Sequence, residues 1–191
     1  MRGIDNYEET REYTESVKLP AGAYEVTIKR AEDTEKAICL LFDISEGEYK
    51  NYFMEKFTAD KKQHPENAKY KGVLRLWYPG GGEYDENQRR RMKTVLETIK
   101  RENRLNVDFS KEWDGAALKG AKIGMIFQDQ EYDYNGYRGF TAQPYGVITL
   151  DKLKSGKYQI PAPKRLKDDI YDAQTDAAAD LPAEPADDLP F

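Results

Sequence analysis

Apolar and polar residues alternate along the first part of the chain in the way that is typical of β-strands. Segments 24–30 and 37–45 each carry an apolar residue at every second position, and a charged turn, 32–36, separates them. The two segments therefore predict a β-hairpin. In the second segment, apolar residues also occupy several of the intervening positions, which predicts a central strand that is covered on both faces.

The middle of the chain predicts a third strand followed by a helix. Segment 70–78 has strand-forming residues and ends at Pro79, before three glycines. Asp85 and Gln88 have the spacing of a capping box, which predicts the start of a helix that continues to about residue 103. The apolar residues of this helix have the spacing of one buried face: Met92, Val95, Leu96 and Ile99.

Two long strands are predicted in the second half of the chain. Segments 119–133 and 137–149 flank Asn135 and Gly136. This pair favours the type I′ turn of a tight hairpin, because both central positions of that turn need positive φ. A short turn or helix near residues 151–154 is expected to end the domain.

The order of three strands, a helix and two long strands predicts a mainly β fold, the OB-fold. This is a five-stranded Greek-key barrel, here with one helix between strands 3 and 4. The domain is expected to span residues 19–159. Residues 1–18 predict a polar N-terminal arm, and 160–191, rich in Pro, Ala and Asp, predict a disordered tail. The aromatic segment 46–59 fits both helical and strand spacing, so its structure stays open, and 60–69 predicts a polar loop.

Charge is unevenly distributed along the chain, whose net charge is −5. Residues 168–191 hold eight acids and no Lys or Arg, which leaves 27 acids against 30 Lys and Arg elsewhere, a net charge of +3. A weakly basic body with an acidic tail is typical of a polyanion-binding protein that recruits partners through the tail. The alternative is a tail that only confers solubility.

The third predicted strand carries the first candidate binding residues. Alternation directs two leucines of this strand to the core and directs Arg75 and Trp77 outward, next to Tyr70 and Lys71. An exposed indole and guanidinium suit a single strand of nucleic acid, because bases stack on the ring and phosphate pairs with the cation. The alternative is that the helix or the N-terminal arm covers Trp77.

A second candidate group surrounds the predicted hairpin turn: Tyr132, Tyr134, Tyr137, Arg138 and Phe140. The loop between strands 4 and 5 contributes to oligonucleotide binding in OB-folds, and rings interleaved with a cation suit sequence-tolerant binding of single strands. The alternative for each tyrosine is a cross-strand pair that stabilises the hairpin. A third group consists of Tyr52 and Lys56 with Phe53 and Phe57, and two of its aromatic residues are expected in the core.

Composition argues against catalysis and against a bound metal or cofactor. One His and one Cys do not support a Cys/His metal cluster, and the P-loop motif is missing, so a non-enzymatic protein without metal or cofactor is expected. The alternative is a metal-dependent nuclease in which Glu48 and Lys50 act with Asp33 or Asp43 upstream. Neither a run of about 18 apolar residues nor a secretion signal is found, which predicts a cytoplasmic protein with no membrane partner.

The last five residues form the most specific motif: Asp187, Asp188, Leu189, Pro190 and Phe191. Phe191 can enter an apolar pocket of a partner while basic groups bind the aspartates and the terminal carboxylate. This motif resembles the tip of bacterial and phage single-stranded-DNA-binding proteins. In that family the tip docks helicases, primases, recombination mediators and nucleases, so the resemblance implies replication and recombination proteins as partners.

The whole chain is similar to the single-stranded-DNA-binding proteins of phages, prophages and mobile elements of Gram-positive bacteria. Four segments carry this similarity: 6–10, 42–49, 70–79 and 118–154. The resemblance implies a non-catalytic protein that coats single-stranded DNA during replication or recombination in the cytoplasm of a bacterial host cell.

Two features typical of the housekeeping bacterial proteins do not occur in this sequence. They are an apolar strand near the N-terminus and a long linker rich in Gly and Gln. The tetramer of those proteins is therefore not implied, and homo-oligomerisation stays open. The alternative to direct DNA binding is a recombination or replication accessory factor that shares the tip but binds mainly protein.

Overall fold

The structure, a computed structural model, describes residues 17–166. Within that range the chain forms five strands, three α-helices and one 3-10 turn. The strands are β1 (Gly22–Asp33), β2 (Ala37–Ile44), β3 (Val73–Trp77), β4 (Lys122–Tyr134) and β5 (Tyr137–Ile148). The helices are α1 (Tyr52–Gln63), α2 (Asp85–Asn103) and α3 (Leu150–Ser155), and the 3-10 turn spans Gly115–Leu118.

The five strands form one antiparallel sheet in the order β3-β2-β1-β4-β5. β1 is central, and its Val26 lies opposite both Ile44 of β2 and Ile123 of β4. β3 and β5 are the outer strands of an open sheet. The prediction of a mainly β domain with five strands, and with a helix between the third and the fourth, is confirmed.

The last two strands extend beyond the rest of the sheet. β4 pairs with β1 only from Lys122 to Phe127, whereas its pairing with β5 continues to Tyr134 and Tyr137. The predicted turn between them is confirmed, because Asn135 and Gly136 have φ of 52° and 83°. We call the projecting two-stranded part, residues 128–134 and 137–143, the ribbon.

Three phenylalanines from distant parts of the chain form the centre of the core. The ring centroids of Phe42 on β2, Phe53 on α1 and Phe127 on β4 lie 5.4, 6.0 and 6.1 Å from one another. The apolar face of α2 completes the core as predicted, with Val95, Leu96 and Ile99 buried and Met92 partly buried. The predicted helix face is therefore confirmed.

The start of α1 depends on a residue of another element, Asp43 near the end of β2. Asn51 precedes the helix with a φ of 60°, and its side chain makes no capping bond. The Asp43 carboxylate accepts the N–H groups of Phe53 and Met54 at 3.1 and 3.0 Å, and that of Ile44 at 2.9 Å. Asp43 is buried, so its carboxylate replaces solvent for the first N–H groups of the helix.

Two parts of the sequence interpretation change in this region. The aromatic segment 46–59, whose structure stayed open, forms a turn followed by the first part of α1. The predicted polar loop 60–69 is wrong at its start, because α1 continues to Gln63. Local spacing could not decide either point, since the carboxylate that stabilises the helix start lies on β2.

The boundaries of α2 are those predicted, but its N-terminus is built differently. The predicted capping box is wrong, because Tyr84 occupies the N-cap position and makes no side-chain capping bond. The carboxylate of Asp85 instead accepts N–H groups from the three glycines 80–82 at 2.9 to 3.2 Å. Desolvation alone would raise the pKa of this carboxyl, but the three N–H bonds hold the pKa below its usual value.

Candidate nucleic-acid interface

A cavity of about 160 Å³ opens between α1, the segment that leads into β3, and the first half of β5. Its aromatic lining consists of Tyr52, Phe53, Phe57, Tyr132 and Phe140. Tyr52 and Tyr132 are both sequence-predicted binding residues, although 80 positions separate them. The fold therefore brings residues of two separately predicted groups to one cavity.

Positive charge dominates the lining of this cavity. Among the described residues, four lysines line it, Lys18, Lys56, Lys69 and Lys71, against a single acid, Asp60. The ammonium of Lys56 lies 4.9 Å from the centroid of the Tyr52 ring, a cation–π contact. A concave surface with one sign of charge concentrates its potential and attracts counter-ions, so an anionic ligand suits the cavity.

Tyr52 is held in place by the chain that enters β1. Its hydroxyl accepts the N–H of Leu19 at 3.0 Å and donates to the carbonyl oxygen of Val17 at 3.3 Å. Edge-to-face contacts with Tyr49 and Phe53 orient its half-buried ring. Tyr52 is therefore a fixed wall of the cavity, and its polar end is already hydrogen-bonded.

Tyr70 lies away from the cavity lining and is engaged with the core. Its hydroxyl donates to the carbonyl oxygen of Phe42 at 2.8 Å, and its ring meets Phe57 edge-on with centroids 5.8 Å apart. Burial, with a smaller contribution from Asp43, raises the pKa of Tyr70 well above its usual value. The structure therefore gives Tyr70 the role of a support behind Phe57.

The outer face of β3 carries the second part of the predicted surface. Leu74 and Leu76 are buried, whereas Arg75 is exposed and 50% of Trp77 is exposed. Half of the indole surface is therefore open in the described part of the chain, and most of the N-terminal arm, one of its expected covers, lies outside that part. Neither Arg75 nor Trp77 lines the cavity, so the structure separates the β3 residues from the group around α1.

The register of the ribbon divides the predicted hairpin cluster between two faces. Side chains opposite each other in an antiparallel pair share a face, and Tyr132 pairs with Gly139 while Tyr134 pairs with Tyr137. We call the surface formed by Tyr132, Tyr134 and Tyr137 the tyrosine face. Arg138 and Phe140 point to the opposite face, because Asp133 pairs with Arg138 and Glu131 with Phe140.

Arg138 is bound to an acid on its own face. Its Nε donates to Oδ2 of Asp133 at 2.9 Å. This bond, with a second from the N–H of Gly136, lowers the pKa of the Asp133 carboxyl. A phosphate at this position would compete with Asp133 for the guanidinium.

Sequence reasoning missed two of the lysines at the cavity. Lys18 was assigned to the N-terminal arm and Lys69 to a polar loop, and the structure places both in the lining. Lys69 could have been found beside Lys71, since the two lie on either side of Tyr70. No local pattern points to Lys18.

The two upstream carboxylates of the nuclease alternative, Asp33 and Asp43, have structural partners. Asp43 binds the start of α1, and Asp33 accepts a hydrogen bond from the Tyr78 hydroxyl at 2.9 Å. Burial and this bond raise the pKa of Tyr78 to about 12. In residues 17–166 no group of three or more His, Cys, Asp and Glu side chains could hold a metal ion.

Three further findings do not concern a single site. No helix within residues 17–166 is long and apolar enough to cross a membrane. The predicted tip, 187–191, and most of the predicted arm, 1–16, lie outside the described residues. No protein-family model matches the chain, and no curated protein matches it significantly in sequence.

Proposed function

We propose that the domain binds single-stranded DNA with little sequence preference and that the acidic tail recruits replication or recombination proteins. The observation that carries this proposal is the cavity, in which four lysines and five aromatic side chains converge against one acid. Lysines bind the phosphates of a strand whatever its sequence, and the release of condensed counterions favours that binding.

The exposed rings favour a single strand over a duplex. Bases stack on aromatic side chains only when they are unpaired, and each stacked base contributes about 1–3 kcal/mol. Trp77 is 50% exposed on the surface that contains Arg75. Tyr132 is 40% exposed and lines the cavity with the lysines. Rings of this size next to cations suit any base, because every base has a π-face.

The strand order supports the OB-fold as the finer description of the domain. In a closed five-stranded Greek-key barrel of this type, β1 pairs with β2 and β4, and the barrel closes between β3 and β5. The observed order β3-β2-β1-β4-β5 is that arrangement opened between its two outer strands. OB-folds bind oligonucleotides on the strand 2–3 face and with the loop between strands 4 and 5, where Trp77 and the ribbon lie.

The sequence supports the recruiting role of the tail. Residues 168–191 carry eight acids and no cation, and they end in Asp187, Asp188, Leu189, Pro190 and Phe191. With the resemblance to phage single-stranded-DNA-binding proteins, this composition leads us to place the protein in the cytoplasm of a bacterial host. There it would coat transient single strands during phage or mobile-element replication and recombination.

A binding titration tests the proposal. Fluorescence anisotropy of labelled oligo-dT and of a matched duplex is measured with the full chain at about 50 and about 200 mM salt. We expect oligo-dT to bind more tightly than the duplex and to lose affinity steeply as salt rises. Lys56→Ala with Lys71→Ala should weaken binding, whereas Lys93→Ala, at an exposed position of α2, is the matched control.

Two outcomes would overturn the proposal or redirect it. No affinity for oligo-dT at about 50 mM salt would exclude the DNA-binding role. If replication proteins were still captured, and deletion of residues 168–191 abolished that capture, the accessory-factor alternative would be favoured. DNA binding that is retained or strengthened after the same deletion, with capture lost, is the result expected of the proposed division of roles.

A further inference from the structure

The last described segment runs along the free edge of the ribbon. Lys164 forms a parallel bridge with Gln130. Its N–H donates to the carbonyl oxygen of Asp129 and its carbonyl oxygen accepts the N–H of Glu131, both at 2.8 Å. The pairing of β4 with β1 stops at Phe127, so β1 does not reach this part of β4. We call residues 160–166 the strap, because it replaces β1 as the neighbour of β4.

Side chains of the ribbon hold the strap on both sides of that bridge. Nε2 of Gln128 donates to the carbonyl oxygen of Ala162 at 2.6 Å. The N–H of Leu166 donates to Oε2 of Glu131 at 3.0 Å. The sequence interpretation assigned this segment to the tail, whereas four hydrogen bonds position it against β4.

The register determines which way the strap side chains point. Residues opposite each other in a β-bridge share a face of the sheet, so Lys164 projects on the same face as Gln130. Alternation along β4 puts Tyr132 and Tyr134 on that face too. The strap therefore adds a cation to the tyrosine face.

This enlarged face is unusually apolar for a solvent-exposed surface. Tyr134 and Tyr137 are 71% and 78% exposed. Protection of the β4 edge explains why the strap backbone is paired. It does not explain why three tyrosines share one face with a lysine, a combination that suits stacked bases and a phosphate.

We infer that the strap and the tyrosine face form a second contact surface for single-stranded DNA, which Tyr132 joins to the lysine-lined cavity. Tyr132 belongs to both, since it lines the cavity and lies on the tyrosine face. Lys164 binds a backbone phosphate, and Tyr134 and Tyr137 stack on bases that leave the cavity. This inference rests on the proposed function, because it extends the path of the same strand.

The test compares short and long strands on the full chain. Binding of oligo-dT of about 4 and about 16 nucleotides, the range of site sizes for one OB-fold, is measured for Lys164→Ala and for Tyr134→Ala with Tyr137→Ala. We expect the tyrosine variant to lose about fivefold or more with the long strand and to bind the short strand unchanged. Lys164→Ala should reduce the slope of log K against log salt by about 0.7 with the long strand.

Controls separate this inference from the proposed function. Lys93→Ala should leave the salt slope unchanged, and far-ultraviolet circular dichroism should show that each variant is folded. Loss of binding by Lys56→Ala with Lys71→Ala, but full binding of both strands by the strap and tyrosine variants, would overturn the inference and leave the proposed function standing. No binding of oligo-dT by the unsubstituted chain would overturn both.

The same variants show whether the surface has another occupant. Sedimentation is measured for the unsubstituted chain and for the tyrosine variant. A change in oligomeric state together with unchanged affinity for the long strand would make this face an interface between copies of the chain. That result would also overturn the inference.

Discussion

The ring of Tyr132 lies directly over Gly139 on the neighbouring strand. A Cβ atom at Gly139 would lie 2.7 Å from the hydroxyl oxygen of Tyr132 and 2.9 Å from the adjoining ring carbon. Contacts this short do not occur, so the ring keeps its position only because residue 139 has no side chain. Gly139 thus sets the orientation of a side chain that joins the cavity to the tyrosine face.

Substitution of Gly139 by Ala should lift the Tyr132 ring off the ribbon. We expect Gly139→Ala to weaken oligo-dT binding by about fivefold, near the lower end of one lost stacking contact, with little loss of stability. Gly82→Ala, where a Cβ meets nothing within 4 Å, is the control. Unchanged affinity together with a displaced ring would show that Tyr132 does not contact the strand.

Trp77 should report directly on binding, because its indole is half exposed on the outer face of β3. Oligo-dT should quench its fluorescence, and Trp77→Ala should reduce affinity by about fivefold or more if one base stacks on it. Trp113→Phe is the control, since Trp113 is half-buried against Phe109 with ring centroids 5.1 Å apart. Quenching that survives in the Trp77 variant and disappears in the Trp113 variant would contradict this assignment.

Asp43 should be important for stability and not for DNA affinity of the folded protein. Asp43→Ala leaves three buried or partly buried N–H groups without an acceptor, which costs roughly 3 kcal/mol in free energy of unfolding. Asp43→Asn keeps one acceptor oxygen and should cost less. Urea unfolding measures both effects, and a loss below about 1 kcal/mol for the Ala variant would contradict the role of Asp43 at α1.

The Asp133–Arg138 pair should give the ribbon a pH dependence in acid. Asp133 has a lowered pKa in the folded state, so its contribution to stability is present above the pKa of the unfolded chain, about 3.9. It is lost as pH falls through the folded pKa. Carboxyl NMR titration should place the Asp133 midpoint below that of an unpaired aspartate, and Arg138→Gln should move the midpoint upward.

The result of that titration is straightforward to interpret. If the midpoint of Asp133 were the same with and without Arg138, the 2.9 Å contact between the two side chains would not persist in solution. If it persists, added oligo-dT that takes Arg138 from Asp133 should raise the midpoint. An unchanged midpoint at saturating DNA would leave Arg138 outside the DNA contacts.

Local spacing and turn residues predicted the elements that depend mainly on residues close together in the sequence. The strand pairs at the start of the chain, the buried face of α2 and the turn at Asn135 and Gly136 were all predicted from local spacing and turn chemistry. The outward direction of Arg75 and Trp77 followed from the same alternation, and both are exposed. These features need only short-range information.

The candidate site was less accessible to sequence reasoning. Tyr52, Lys56, Lys71 and Tyr132 were predicted in three separate groups, yet they line one cavity together with Lys18 and Lys69. The hairpin residues were predicted as one group around the turn, and the register puts the tyrosines on one face and Arg138 on the other. No spacing along one segment shows how a distant segment will lie against it.

The sequence by itself determined the strands, α2, the tight hairpin turn and the separation of a weakly basic body from an acidic tail. These depend on alternation, on backbone preferences of single residues and on charge counts. Only the tertiary structure decided where α1 begins, which lysines meet at the cavity and how the strap pairs with β4. Each of those depends on contacts between residues far apart in the chain, such as Asp43 with Phe53 or Lys164 with Asp129, which form only when the sheet has assembled.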